Sequence, residues 1–405
     1  MEQENKRRHV PVSLVVFLGM LAAIAPLSTD MYLPALPEMM GNFNVSSSMV
    51  QLTLTFSMAG MAAGQLFAGP VSDEKGRRMP LLTAMVVFAV STLGCFFSNT
   101  VYVFLLCRLI QGLSGGAGIV IARAVVRDVA SGPALMRLFS MLMLVNGLAP
   151  VLGPVIGGQI LRFFSWRGVF GFLFLIALCL TAGAAVFRET LKEKKKVTGG
   201  IAESIKNYRP LFKDSYFMGH CLMQCFSFAA FFGYISGSSF VFQNVYHVSA
   251  QTYSYIFGVN GIGLLLTGAL TGRLAGHIAE WKLLRVALTA AFSGSLVLLA
   301  GFIMYAPLFV IAVTIFITVS TLSAMGSASF SLAMQKQGKS AGGAAALIGF
   351  FSLISGAVMA PVVGIGGSDT ALPMGIIIVV GEAGALLMFY KFIYTHHKDE
   401  HKDEA

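Results

Sequence analysis

Charge is scarce in this chain of 405 residues: Asp, Glu, Lys and Arg together make up 11% of it. Soluble domains carry roughly 25%. A chain so poor in charge cannot clothe a water-facing surface, which excludes a soluble globular protein. Cysteine is sparse too. Cys95, Cys107, Cys179, Cys221 and Cys225 all fall in apolar segments, so no disulfide framework is implied. Cys221 and Cys225 share a helix face, but two thiols offer too few ligands for a metal and read as packing residues. Also missing are HExxH, a Walker loop, a dinucleotide fingerprint and a nucleophile elbow. Their absence removes ATP hydrolysis by the usual means and points away from an enzyme. No cofactor and no metal site are expected, and the tail His396-His397-Lys398-Asp399-Glu400-His401 reads as a solvated cytoplasmic segment.

What is abundant is apolar. Hydrophobic residues make up 56% and the mean hydropathy is +0.78, with 44 glycines and 13 prolines. Both glycine and proline are commoner in membrane helices than in soluble ones. A spanning helix needs about 20 mostly apolar residues. That criterion gives an all-α integral membrane protein of twelve transmembrane helices: 11–36, 49–72, 79–98, 101–124, 134–161, 168–188, 215–240, 250–272, 283–305, 307–334, 341–365 and 371–394. The first apolar run leads into another span, so no cleavable signal is expected. With the N-terminus placed in the cytoplasm, 25 of the 28 Lys and Arg fall in cytoplasmic segments. Arg162 and Arg167 lie outside and Arg108 lies in a span. The positive-inside rule then puts both termini in the cytoplasm. The net charge of +10 is accordingly a topological signal and a contact for anionic lipid, with no nucleic-acid partner.

The basic stretch 189–214 divides the chain into a six-helix half (1–188), a linker, a second six-helix half (215–395) and a tail (396–405). Ala149-Pro150-Val151-Leu152-Gly153 in span 5 is echoed by Ala360-Pro361-Val362-Val363-Gly364 in span 11. Gly69 and its basic turn after span 2 are echoed by Gly272-Arg273 after span 8. Paired halves of this kind put a substrate site between them, near the midplane.

Short motifs sharpen the picture. The turn after span 2 reads Gly69-Pro70-Val71-Ser72-Asp73-Glu74-Lys75-Gly76-Arg77-Arg78. Gly69 permits close helix approach, Gly76 permits positive φ, and Asp73 accepts bonds from nearby arginines or a helix N-terminus. This turn resembles the signature of the major facilitator superfamily. Arg108-Leu109-Ile110-Gln111-Gly112 resembles the span-4 motif of its proton-coupled members. Gly153-Pro154-Val155-Ile156-Gly157-Gly158 resembles the span-5 motif of its antiporters, with Ala149 and Ser140 where the fuller pattern has Gly. Gly153 and Gly157 form a face for tight contact, and Pro150 and Pro154 weaken the helical ladder. Ser28-Thr29-Asp30-Met31-Tyr32-Leu33-Pro34-Ala35-Leu36-Pro37 is similar to the end of span 1 in the bicyclomycin and chloramphenicol resistance group of drug/proton antiporters. Arg123 to Asp128 and Trp166-Arg167 fit the same group. The resemblance implies a monomeric bacterial inner-membrane exporter of drug-like molecules, driven by protons.

Ionisable residues inside spans mark function by default. Asp30 lies about six residues before the predicted end of span 1, or ~9 Å, and Arg108 lies ~10 Å into span 4. The two are expected at one depth in one half, facing a common cavity. A guanidinium favours the charged carboxylate and desolvation the neutral acid, so conformation can tune such a pair. Glu382, the other acid inside a span, lies ~17 Å into span 12. With Tyr32, Gln65, Gln111, Asn146, Gln224, Tyr234, Tyr255 and Asn260 it is a candidate for the substrate cavity. The 33 Phe and 21 Met would supply adaptable walls. Gly153, Pro154, Gly157 and Gly158 are expected to seal and pivot the halves, and Asp73, Arg77 and Arg78 to latch the cytoplasmic side. The alternative keeps the fold but exports a metabolite such as an amino acid or small peptide. A membrane sensor or scaffold would need a soluble signalling domain or long tail, and the sequence offers neither.

Overall fold

The computed structural model describes residues 11–191, 210–335, 337 and 341–396. The basic N-terminal residues, most of the sequence-defined linker and the tail beyond 396 lie outside them. Apart from one isolated bridge between Ala275 and Ile278, all regular structure among the described residues is helical. In order these are α1 (Val12–Asp30), α2 (Leu36–Phe43), α3 (Ser47–Lys75), α4 (Arg78–Phe97), α5 (Val101–Val129), α6 (Gly132–Ile160), α7 (Trp166–Val186), α8 (Ser215–Phe240), α9 (Ala250–Leu274), α10 (Glu280–Ile303), α11 (Leu308–Gln335), α12 (Ala341–Val363) and α13 (Leu372–Met388). Short polar turn residues start several of them. Ser46, Thr100, Asp214 and Ser249 each accept a backbone N–H from the first turn of α3, α5, α8 and α9. Each bond occupies a donor that the helix itself leaves without a partner.

Among the described residues, eleven helical stretches are long and apolar enough to cross a membrane. The predicted span 49–72 is not among them, although it forms the 29-residue helix α3. Gln51, Thr53, Thr55, Ser57 and Gln65 lower its hydropathy, and several of these polar groups serve packing. Gln51 Nε2 donates to Ser236 O at 2.9 Å, and Thr55 Oγ1 to Ala357 O at 2.6 Å. The first predicted span also differs. Its helix stops at Asp30 rather than running to Leu36, and the chain continues through a 3-10 turn (Leu33–Ala35) into α2. Pro34 and Pro37 have no N–H to extend the α1 ladder, which explains the break.

Helices α1 to α7 pack chiefly among themselves, as do α8 to α13. The tightest crossing is α3 on α5. A Cβ added at Gly60, Gly64, Gly112 or Gly116 would run into backbone of the facing helix, so these four glycines allow near-backbone contact. At Gly69, where the sequence suggests close approach, a Cβ would meet only Val120 Cγ1 at 3.7 Å. That motif glycine is therefore not what sets the α3–α5 distance.

Between the two groups, the main contacts are α3 with α12 and α6 with α9. The hydrogen bonds joining them gather toward one end of the bundle. Ser47 Oγ donates to Gly364 O, Ser48 Oγ to Pro361 O, Ser239 Oγ to Leu33 O and Gln243 Nε2 to Pro34 O, at 2.7–3.0 Å. Gln251 Nε2 donates to Gly158 O at 3.1 Å. The opposite end carries the basic turns around Arg77, Arg127, Arg273 and Lys282, and among the described residues no such bond crosses there.

Candidate functional site

A cavity of 280 Å³ opens between the two groups of helices. The first group contributes Pro26, Thr29 and Asp30 of α1, Leu54, Met58 and Met61 of α3, and Asn146 and Pro150 of α6. From the second come the aromatic run Phe228, Phe231, Phe232 and Tyr234 of α8, Phe257 and Asn260 of α9, and Val319 of α11. The volume is near the lower end of small-molecule sites, and the lining is mostly apolar with a few converging polar groups, as such sites usually are.

Asp30 is the one charged residue in that lining. Its side chain is 8% exposed, and Thr29 Oγ1 donates to its Oδ1 at 3.2 Å. Helix α6 holds it from behind. A Cβ at Gly153 would lie 3.2 Å from Asp30 Cβ, and one at Gly157 would strike the carbonyl of Met31. The glycine-proline motif of α6 thus packs directly on the turn that carries the acid. On another face, Gly158 meets Ser254 of α9, so the same motif touches both halves.

Arg108 does not line the cavity. It is wholly buried, and its NH1 donates to Ser28 O at 2.9 Å and to Gln111 Oε1 at 2.6 Å. Its Cζ lies 4.5 Å from the centroid of the Tyr32 ring, a cation–π distance. It forms no ion pair with Asp30. Within 4.0 Å, the ion pairs among the described residues are those of Arg77 with Asp73 and Asp128. The physical reason is the helix end. The last carbonyls of α1 have no helical donors, and an arginine is suited to fill one of them. Arg108 takes Ser28 O, two residues before Asp30, in place of the carboxylate.

The other sequence candidates divide by helix face. Asn146, Tyr234 and Asn260 line the cavity, and Asn260 Nδ2 donates to Tyr234 Oη at 2.8 Å. Tyr32 lies beneath Arg108 with its hydroxyl 2.8 Å from Thr53 Oγ1. Gln111 donates to Thr92 Oγ1 inside the first group. Gln65 and Gln224 are outside the lining, and Tyr255 is 54% exposed with its hydroxyl accepting from Gln159. Tyr32, Gln65, Gln111, Gln224 and Tyr255 are therefore not cavity residues here: Tyr32 and Gln111 bond inside the first group, Tyr255 bonds to Gln159, and Gln65 and Gln224 share a helix face with the lining residues Met61 and Phe228 but lie a turn beyond the cavity. Glu382 lines a separate small cavity behind α8. Sequence reasoning does not single out Met58, Met61, Phe228, Phe231, Phe232 or Phe257 individually; the dense Phe228-to-Tyr234 cluster is the signal that could have found them.

At the basic end, Arg77 joins Asp73 at 2.5 Å and Asp128 at 2.8 Å. Arg78 NH2 donates to Ala185 O at 2.7 Å. Glu189, which the sequence does not flag, completes this cluster: its carboxylate accepts the N–H groups of Arg77 and Arg78 at 2.9 and 3.1 Å. It caps α4 from just beyond the end of the neighbouring helix α7. Gly76 has φ +96°, and a Cβ there would press on that carboxylate, so glycine is needed for both reasons. All these partners belong to the first group of helices. The cluster is a latch within one half, not across the two. Burial works against the charge on Glu189, but the backbone N–H groups of Leu191, Arg77, Arg78 and Thr190 outweigh it and hold the carboxyl below its ordinary range. A lowered folded-state value means that its contribution is present at neutral pH and is lost as pH falls through that value. Glu189→Ala is expected to cost about 1 kcal/mol, as lost caps do, read as a lower midpoint of thermal denaturation at pH 7. The difference from wild type should shrink in acid; an unchanged midpoint at pH 7 would refute the capping role.

Residues 18–361 match the profile of the Major Facilitator Superfamily. The chain belongs to the major facilitator superfamily. It is 40% identical over 94% of its length to a Bacillus subtilis protein described as the uncharacterized MFS-type transporter YdgK, covering 95% of that protein. It is 31% identical to the bicyclomycin resistance protein homolog of Haemophilus influenzae, covering 89% of this chain and 91% of that one. With the chloramphenicol resistance protein of Pseudomonas aeruginosa it shares 28% identity over 72% of this chain and 69% of that protein. Among solved structures, an inward-facing, unoccupied bacterial homolog of the lysosomal transporter Spinster superposes with a TM-score of 0.75 at 13% identity, covering 95% and 98% of the two chains. An inward-open Escherichia coli xylose transporter gives 0.72 at 16%, covering 94% and 96%. These last two speak for the fold. Family and helices together make this major facilitator protein a multi-pass transporter of the bacterial inner membrane, acting on small molecules.

Proposed function

We propose that this transporter is a drug/proton antiporter of twelve spans, with both termini in the cytoplasm, exporting amphipathic small molecules by alternating access. The observation that carries the reading is a lone carboxylate, Asp30, in a cavity walled by Phe and Met between two groups of helices that are bonded at one end. The positive-inside rule makes the basic end cytoplasmic, so the bonded end is external and the cavity faces inward. A drug enters from the cytoplasm or inner leaflet and packs on Met58, Met61 and Phe231. Its polar groups meet Asn146, Asn260 and the Asp30 carboxylate. After the halves rock, an external proton binds Asp30, removes its charge and favours release. The acid returns its proton inside when the cavity reopens inward. Arg108 positions Asp30 through the last turn of α1.

The names of two relatives, which refer to bicyclomycin and chloramphenicol resistance, support this substrate class over others. A growth-inhibition panel in an efflux-deficient bacterial host tests it. Expression is expected to raise tolerance to chloramphenicol or bicyclomycin and to further amphipathic compounds. Unchanged tolerance across the panel, together with a new metabolite in the medium, would instead favour the metabolite exporter.

A further inference from the structure

Glu382 is the second carboxylate that a bilayer would enclose, and the cycle above does not use it. It sits on α13 and is 3% exposed. Its Oε2 has no hydrogen-bond partner. It opens onto a cavity of 10 Å³, about the space of one water. The walls come from α8 (Ala230, Phe231, Tyr234), α10 (Leu298), α11 (Ile315, Thr318, Val319, Leu322) and α13 itself (Ile378). Tyr234 is the one other titratable group among them, and none is Lys, Arg or His. An ionised carboxylate in this place would have no counter-charge, and its Oε2 no donor, whereas a neutral acid fits.

Phe231, Tyr234 and Val319 line this small cavity and the central one alike. A single layer of side chains therefore separates Glu382 from the space that Asp30 faces. Within that layer Tyr234 presents a hydroxyl whose oxygen accepts from Asn260, leaving its own O–H free to donate. The small cavity is too tight for a drug-sized group and adequate for a water.

We propose that Glu382 is a second proton-carrying carboxylate, loaded and emptied through the Phe231–Tyr234–Val319 wall, so that one cycle exchanges two protons for each substrate molecule. An O–H bond forms at Glu382 when the wall gives access from outside and breaks when it gives access from inside; nothing else is consumed. The two halves then carry one proton each, Asp30 in the first and Glu382 in the second. This rests on the antiport reading above.

The experiment uses the full chain in proteoliposomes, radiolabelled chloramphenicol as probe, a membrane potential clamped at zero and an imposed difference of one pH unit. Two coupled protons predict about 100-fold accumulation of the drug at equilibrium and one predicts about tenfold. Wild type is expected at about 100-fold and Glu382→Gln at about tenfold. Glu382→Asp, which keeps an acid, should stay near the wild-type ratio and guards against a folding defect in the Gln variant. Equal ratios for wild type and Glu382→Gln would overturn the proposal while leaving single-proton antiport intact. A slower approach to the same ratio would reduce Glu382 to packing or substrate contact, which also overturns it. Absence of any gradient-driven accumulation by wild type would remove the antiport reading and this inference together.

Discussion

Asp30→Asn is expected to abolish proton-coupled export while leaving the protein folded. Asn preserves the size of the side chain and still offers Thr29 an oxygen acceptor in place of Asp30 Oδ1. It removes only the exchangeable proton and the charge. The neighbouring supports, Arg108 on Ser28 O and α6 on the Asp30–Met31 turn, are backbone or apolar contacts that the exchange does not touch. The loss should therefore be specific to coupling: about 100-fold or more in gradient-driven rate, the scale on which a positioned proton-transfer group matters. The thermal midpoint should move little. Measured as drug tolerance in an efflux-deficient host, the variant should match the empty host. Tolerance equal to wild type at equal expression would take Asp30 out of the mechanism.

Gly157→Val is expected to be nearly as damaging, for a steric reason. A Cβ at Gly157 would overlap the carbonyl oxygen of Met31, a backbone atom that cannot swing aside. Overpacking of this kind costs typically about 1–3 kcal/mol, and here the displaced backbone is the turn bearing Asp30. A shift on the order of 1 Å in a positioned group can cost about 100-fold in rate. The contrast is Gly69→Ala in the family's signature turn, where the nearest atom would be a side-chain methyl at 3.7 Å. That variant should keep most of its transport in side-by-side efflux assays at matched expression. If Gly157→Val transports normally, the close α6–α1 contact does not position the acid.

Much of the fold is legible in the sequence because the length of an apolar run sets the position of a span. Predicted and observed ends agree within a few residues for 79–98 against Arg78–Phe97 and for 215–240 against Ser215–Phe240. The early stop of α1 at Asp30 is also written in Pro34 and Pro37, but run length alone passes through a proline-rich turn. Facing is the harder question. Arg108 reaches the last turn of α1, where Asp30 sits, yet depth does not say which side of a helix a residue leaves from. Arg108 turns to a carbonyl of α1, and Tyr255 turns to Gln159, away from the cavity that Tyr234 and Asn260 enter. A water-soluble helix is oriented by the contrast between its polar and apolar faces. In a membrane helix that contrast is nearly lost, because the sides facing lipid and the sides facing other helices are both apolar. Glu189 escapes notice for another reason. Its partners Arg77 and Arg78 are more than 100 residues away in sequence, and their backbone N–H groups leave no mark in the side-chain pattern.

In the proposed mechanism, substrate and proton move in opposite directions through the cavity beside Asp30. The most direct test reconstitutes the full chain in liposomes loaded with a pH-sensitive dye, under a pH gradient, and follows internal pH on addition of chloramphenicol. The predicted result is a substrate-dependent proton flux opposite to drug movement, abolished by Asp30→Asn and by collapse of the gradient with an ionophore. Drug movement that persists unchanged without a gradient, with no accompanying proton flux, would contradict it.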